Sequence, residues 1–321
     1  MQSRISVTAT MLACAALPGI GLAQTAPAPD GGEFSSSTQF LSAVVVTALR
    51  HEKENLYVPY SISTVSSDYV DDFGPRTTPD VLNAVNGAFI QKTNLGGGSA
   101  FVRGLTGNQS LTLIDGIRLN NATFRYGPNQ YLNTIDPFTI DRIEVAKGTG
   151  SVQYGTDALG GTVQLLTRNP EFATDQPGWN AKLLGRTMTH GMEQTLRGQA
   201  GYSGERFAFI GGVSSKNFGD LIGGNDTGKQ SPSGYDEWSA DLKTRFLLNP
   251  GAELTLAGQF LRQENVPVYH SVQLENYALR EMDPQQHALT YARLNLHSDS
   301  RWTQDVTLTA SWQQSLEGRN A

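Results

Sequence analysis

The chain has 321 residues, a formal charge of −6, 34 glycines, a single cysteine and only 17 % charged residues. That balance excludes the basic footprint of a nucleic-acid-binding protein, and no apolar run of about 18 residues lies beyond the N-terminus, which excludes a helical membrane protein. Ser, Thr, Asn, Gln and Gly dominate. This mixture suits many short strands and turns, and in particular strands that face lipid on one side and water on the other.

Residues 1–23 read as an export signal. Arg4 is its positive start, residues 5–17 are modestly apolar with Met11, Leu12 and Ala15, and Gly21-Leu22-Ala23 form a small-residue cleavage site before Gln24. Cys14 falls inside this segment, so the mature chain is expected to carry no disulfide. Residues 24–42 are rich in Pro, Ala, Gly and Ser with nothing periodic to bury, which predicts a disordered linker. At 43–49 comes a β-branched run, Ala43-Val44-Val45-Val46-Thr47-Ala48. On local grounds it is either a strand that pairs with an exposed sheet edge on another protein or the first strand of the next domain.

Residues 50–168 behave as one small mixed domain. Residues 60–65 form a strand candidate and 67–73 a turn-rich piece. A helix is expected over 79–85, with Thr78 as N-cap, Pro79 at the first helical position and Gly87 past the end; Val81, Leu82 and Val85 give it one buried face. A strand at 88–92 precedes a glycine loop at 94–99, which has no Lys-Ser/Thr and no helix behind it and so is no phosphate cradle. Leu111-Thr112-Leu113-Ile114 and Ile117-Arg118-Leu119-Asn120 flank Asp115-Gly116, a two-residue hairpin signal that makes Asp115 a turn residue. The irregular stretch 121–133 holds Phe124, Arg125, Tyr126, Pro128 and Tyr131; an arginine among loop aromatics can stack on and pair with a planar anion.

The most informative stretch is 139–167, TIDRIEVAKGTGSVQYGTDALGGTVQLLT. A strand with period two leads into a connection punctuated by Gly148, Gly150, Gly155, Gly160 and Gly161, and a second strand closes the unit. The order of residues resembles the end of the plug domain of TonB-dependent outer-membrane receptors, where a run like I-E-R-I-E-V, R-G-P, Y-G, A-x-G-G recurs; Asp141 and Lys147-Gly148-Thr149 depart mildly from it. The P-x-x-L-x-x-x-x-G piece at 79–87, and Arg103-Gly104 followed by Ile114-Asp115-Gly116, resemble the same family.

After Asn169-Pro170 come about seven alternating runs, at 179–188, 193–202, 206–217, 237–248, 253–262, 288–297 and 302–312, near the length that spans a membrane at a tilt. In the fourth, Trp238, Ala240, Leu242, Phe246 and Leu248 oppose Ser239, Asp241, Lys243 and Arg245. Tight turns at 203–205, 249–252 and 298–301 contrast with long connections at 218–236 and 263–287, the asymmetry of an outer-membrane barrel. Trp179, Tyr202, Trp238, Tyr291, Trp302 and Trp312 fall near the expected strand ends, as aromatic girdles would. Barrels that enclose a plug use about 22 strands. The resemblance therefore implies a mixed α+β plug domain inside a transmembrane antiparallel β-barrel, with residues 179–321 its first part and the rest truncated.

The resemblance also implies roles. Val44, Val45, Val46, Thr47 and Ala48 would be the TonB box, gripped from the periplasm by TonB with its ExbB-ExbD inner-membrane motor. The interval of about twenty residues before the box is too short for an N-terminal signalling domain, since domains run to roughly 50 residues and more. Arg125 and Tyr126 would contact ligand at the plug apex. Arg103, Arg142 and Glu144 would pair with the inner barrel wall and hold the plug. The implied activity is uptake of a scarce nutrient complex, a ferric siderophore first, with haem or cobalamin behind it. Tyr269, His270 and Tyr277 in the second long connection could ligate haem iron. No cofactor and no metal site is expected. An enzyme is disfavoured, because there is no Gly-x-Ser-x-Gly and the five His residues are scattered; a passive porin would have no use for the box.

Overall fold

The computed structural model describes Val44–Val45, Lys53–Glu54 and residues 61–320, except 122–126, 130, 174, 225 and 298–304. The expected signal and linker, and Val46, Thr47, Ala48, Arg125 and Tyr126 among the site candidates, lie outside the described residues. Two short strands, β1 (Val44–Val45) and β2 (Lys53–Glu54), pair antiparallel with Val44 opposite Glu54.

The plug begins with β3 (Ser61–Val65) and α1 (Ser67–Phe73). The latter is a helix where the sequence suggested turns: the Ser66 hydroxyl accepts from the Tyr69 N–H, and Gly74 closes the end in a left-handed conformation at φ 58°. Next comes α2 (Thr78–Val81), which starts one residue earlier than expected because Thr77 and Asp80 form a capping box, and which tightens at once into a 3₁₀ turn, Leu82–Ala84. Its expected face holds, since Val81, Leu82 and Val85 are all buried.

The glycine loop at 94–99 is in fact the tip and second arm of a hairpin, β4 (Ala88–Asn94) and β5 (Gly97–Val102). Beyond it lie β6 (Ser110–Ile114) and β7 (Ile117–Arg118), joined by Asp115-Gly116 with φ of 48° and 81°, as a type I′ turn requires. The 139–167 unit supplies β8 (Ile140–Lys147), α3 (Ser151–Tyr154) and β9 (Gly161–Thr167). A five-stranded sheet in the order β3-β8-β9-β6-β7 results, antiparallel except where β6 runs parallel to β9. Val65, Val81, Leu82, Ile114, Ile143 and Leu165 pack between this sheet and the helices.

The wall consists of seven long strands, with short β elements in the connections: β10 (Gly178–Met188), β11 (Glu193–Ser203), β12 (Phe207–Phe218), β13 (Leu221–Ile222), β14 (Lys229–Gln230), β15 (Tyr235–Asn249), β16 (Ala252–Glu264), β17 (Val266–Pro267), then α4 (Tyr269–Leu274), β18 (Glu281–His297) and β19 (Asp305–Asn320). The long strands pair antiparallel in chain order. β18 starts seven residues before the sequence suggested, within what looked like loop.

The wall's polarity is inverted relative to a soluble sandwich. Its buried side chains include Glu193, Thr195, Arg197, Ser214, Lys216, Glu237, Ser239, Lys243, Gln263 and His287, whereas Trp179, Leu183, Leu196, Val213, Trp238, Leu242, Leu256, Leu308 and Trp312 are exposed. Exposing that many large apolar groups is stable only where the surroundings are themselves apolar, so the outer face is built for hydrocarbon. Near the tight-turn ends, Trp179, Tyr202, Phe207, Phe209 and Phe246 form a continuous aromatic cluster, with ring centroids 5.0–6.1 Å apart. That placement is an interfacial girdle.

Candidate functional site

The wall curls round the plug and touches it from β10 to β19. Arg186 on β10 donates to the Gly74 carbonyl at 2.7 Å, and Gln313 on β19 donates to the Leu119 carbonyl at 3.3 Å. Between these limits the contact is dominated by two plug carboxylates, each fully buried and each seated among wall side chains.

Asp115 is the first. Its backbone makes the β6–β7 turn, and its carboxylate accepts from the Thr167 N–H at 2.8 Å and the Thr167 hydroxyl at 2.6 Å, tying the hairpin to the end of β9. From the wall, Lys243 Nζ on β15 lies 3.1 Å from Asp115 Oδ2, and the Tyr291 hydroxyl on β18 donates to the same oxygen at 2.9 Å. Lys243 also donates to the Thr167 carbonyl and to Asn169 Oδ1, so the knot sits where the plug chain passes into the wall. Arg293 donates to the Asp115 carbonyl. Burial pushes the Asp115 carboxyl up, but the Lys243 charge and the two Thr167 hydrogen bonds outweigh it and hold it below the ordinary carboxylate value.

Asp136 is the second. It caps a 3₁₀ turn, Pro137–Thr139, by accepting from the Phe138 N–H at 3.1 Å. The wall surrounds it through the strand register. Arg197, Ser214 and Ser239 stand opposite one another on β11, β12 and β15, and Lys216 and Glu237 occupy the next inward row. Lys216 Nζ is 3.0 Å from Asp136 Oδ1, Arg197 Nη1 is 3.7 Å from Oδ2, and the Ser214 and Ser239 hydroxyls donate to Oδ2. Burial again pushes the acid up; the charges of Lys216 and Arg197, with the two hydroxyls, overcome this and bring it to about 2. Two residues on, the Phe138 ring lies among three wall cations, with Arg186, Arg197 and Lys216 at 5.7, 5.8 and 5.2 Å from its centroid.

A third contact is apolar. The β4–β5 tip puts Leu95 against Phe218, Tyr235 and Val266, at the roots of both long connections. A Cβ on Gly96 would stand 2.6 Å from Val266 Cγ1, so only glycine fits. Asn94 Nδ2 donates to the Pro267 carbonyl at 3.0 Å.

The charges singled out from sequence sit elsewhere. Arg142 pairs with Glu144 at 3.0 Å and Asp141 at 3.5 Å, on its own strand. Glu144 is fully buried within the plug sheet, opposite Thr64 and Gln164. Arg103 is exposed on a turn at φ 53°. These are corrections: the ion pairs to the wall described above are made by Asp115 and Asp136, not by Arg103, Arg142 or Glu144. Tyr291 is likewise no girdle residue. It is buried at mid-strand and faces the plug. Tyr269 and His270 lie on α4, whereas the Tyr277 ring is covered by the Arg280 guanidinium at 4.9 Å.

A plug held inside an inverted antiparallel wall defines the class: a plugged β-barrel of the outer membrane. Residues 54–162 match the TonB-dependent receptor plug domain model. The vitamin B12 transporter BtuB of Vibrio vulnificus (strain CMCP6) is 34 % identical over 139 residues, which are 43 % of this chain and 22 % of that protein. The rhizobactin receptor of Rhizobium meliloti (strain 1021) is 28 % identical over 54 % of this chain and 22 % of its own length. The matched segments thus span about a fifth of these relatives. Among solved structures, the copper transporter OprC superposes with a TM-score of 0.64 at 15 % identity, covering 78 % of this chain and 37 % of that one. The alcaligin receptor FauA of Bordetella pertussis does so with a TM-score of 0.61 at 14 % identity, covering 86 % and 42 %. Residues 54–162 therefore form a TonB-dependent receptor plug domain, and the strands that follow have the fold of the first part of the barrels that enclose such plugs.

Proposed function

We propose that this chain is part of a receptor that imports a scarce nutrient complex, a ferric siderophore, across the outer membrane. The observation that carries the reading is the pair of buried plug carboxylates, Asp115 and Asp136, seated in a wall whose outer face is apolar. A plug fixed by several buried polar contacts blocks passive flow, and moving it requires work from outside the barrel. TonB supplies that work, driven by the ExbB-ExbD motor in the inner membrane, by adding its own strand to Val44, Val45, Val46, Thr47 and Ala48. Arg125 and Tyr126 contact the ligand from the plug apex, and outer-membrane lipid covers the apolar exterior. Resemblance to the rhizobactin receptor supports the iron chelate. Resemblance at 34 % identity to a vitamin B12 transporter supports a corrinoid as the second reading.

Growth of a deletion strain on single sources, ferric siderophores or vitamin B12, complemented with the intact gene, separates them. Growth restored on a ferric siderophore alone supports the first reading, growth on vitamin B12 alone the second, and restoration on neither contradicts both.

A further inference from the structure

The two plug acids are held by wall cations whose own pairing differs. Lys216 has a second carboxylate within reach, Glu237 of the wall at 2.7 Å, as well as Asp136 at 3.0 Å. Arg197 likewise has Asp241 of the wall at 2.9 Å as well as Asp136 at 3.7 Å. Lys243 differs: among the described residues the carboxylate paired with it is Asp115 of the plug, and its remaining partners are the neutral oxygens of Thr167 and Asn169. Lys216, Arg197 and Lys243 are all buried with the plug seated, and a gap opened by the movement of one plug segment hydrates them only in part, so each still gains from a partner.

We infer that Glu237 and Asp241 are stand-in partners which keep Lys216 and Arg197 paired when the segment carrying Asp136 withdraws, so that this segment is released while the Asp115 knot stays seated. Withdrawal takes Asp136 into water, where its charge is solvated, and leaves behind a wall that is already neutral at that height. Glu237 is itself held for the role by Gln263, which donates to its second oxygen at 2.8 Å. Withdrawal of Asp115 would instead strand Lys243 and undo the Thr167 bonds at the plug's exit into the wall. Both hydroxyls on Asp136, from Ser214 and Ser239, can turn to one another's strand or to water, and they carry no charge to strand.

The inference rests on the receptor reading and is testable separately from it. Cys14 is the sole cysteine of these 321 residues, and any cysteine elsewhere in the intact gene product is replaced by serine before a single reporter is introduced. Leu261→Cys lies beside Asp136 in a small cavity of the interface, and Leu289→Cys lies in the cavity lined by Asp115, Lys243 and Tyr291. Each is placed in the intact gene product, in cells supplied with vitamin B12 or ferric rhizobactin, and labelled with a membrane-impermeant maleimide with and without a proton uncoupler. The expected result is energy-dependent labelling of Leu261→Cys, protection of Leu289→Cys, and a fall of about tenfold or more in the Leu261→Cys rate when Glu237→Gln and Asp241→Asn are added, because buried cations are then stranded. Adding Lys216→Met to Glu237→Gln should recover much of the rate, an outcome that simple structural damage would not give. Unchanged labelling in the Glu237→Gln, Asp241→Asn variant, or equal labelling of both reporters, overturns the inference. Absence of energy-dependent labelling at Leu261→Cys also overturns it, and uptake of the same probes by the same cells then shows whether the receptor reading stands.

Discussion

Lys243 Nζ of β15 and Asp115 Oδ2 of the β6–β7 turn lie 3.1 Å apart, both buried, across the boundary between wall and plug. Replacing Lys243 by Met leaves the acid buried with hydrogen bonds and no counter-charge, which costs about 3–5 kcal/mol. The expected outcome is a plug that seats poorly: greater protease sensitivity of residues 61–168 and greater permeability of cells to bulky antibiotics. Tyr291→Phe removes one hydrogen bond to the same oxygen and should cost less, about 1–3 kcal/mol. Limited proteolysis of purified receptor ranks the two.

Acid should loosen the plug. Asp136 is brought to about 2 and Asp115 also lies below its ordinary value, each below the 3.8 of a free aspartate. A depressed carboxyl contributes stability that is present above the unfolded value and is lost as pH falls through the folded one. Plug protection should therefore be flat from neutral pH to about 5 and decline below about 4. Asp136→Asn should flatten part of that decline, as measured by hydrogen exchange of β8 amides between pH 6 and 3.

Gly96 tests the apical contact. Gly96→Val puts a branched side chain where a Cβ alone would stand 2.6 Å from Val266 Cγ1. Overpacking of this kind costs about 1–3 kcal/mol. Release of the hairpin tip should raise exchange of β4 and β5 amides and leave β6 and β9 unchanged, which mass spectrometry of peptides resolves.

The wall's inversion predicts opposite tolerances on its two faces. Leu242→Arg, on the exposed face, should cost about 2–4 kcal/mol near the bilayer midplane and impair heat-resistant barrel migration on gels. Ser214→Ala, on the buried face, removes one hydroxyl from Asp136 and should leave barrel migration unchanged.

Much of this was legible from residue order. The Asp115-Gly116 turn, the face formed by Val81, Leu82 and Val85, the alternation of β15 and the tight turns at 203–205 and 249–252 are local patterns, and each appears in the structure, while the expected turn at 298–301 lies outside the described residues. What escaped was non-local. Asp115 satisfies its turn and nothing in its neighbours announces Lys243, 128 positions later, because that pairing depends on strand register across the wall. Tyr291 looked like a girdle residue only while β18 was placed at 288–297; starting the strand at Glu281 moves it to mid-strand and fixes it inward with Leu289 and His287. Residues 94–99 looked like a loop because their glycines carry no period, and the reason for them, contact with Val266 and Pro79, lies outside the segment. Arg142 and Glu144 looked like wall anchors because charges in a buried strand need partners; they found them on one strand.

In the proposed receptor a plug is pulled inside a lipid-embedded barrel by a tether from the periplasm. The most direct test compares cells carrying the intact gene with cells carrying it without residues 43–48, monitoring both surface binding and uptake of labelled ferric siderophore and vitamin B12. Binding retained with uptake abolished is the expected result; uptake that continues at the parental rate would rule out a pulled tether.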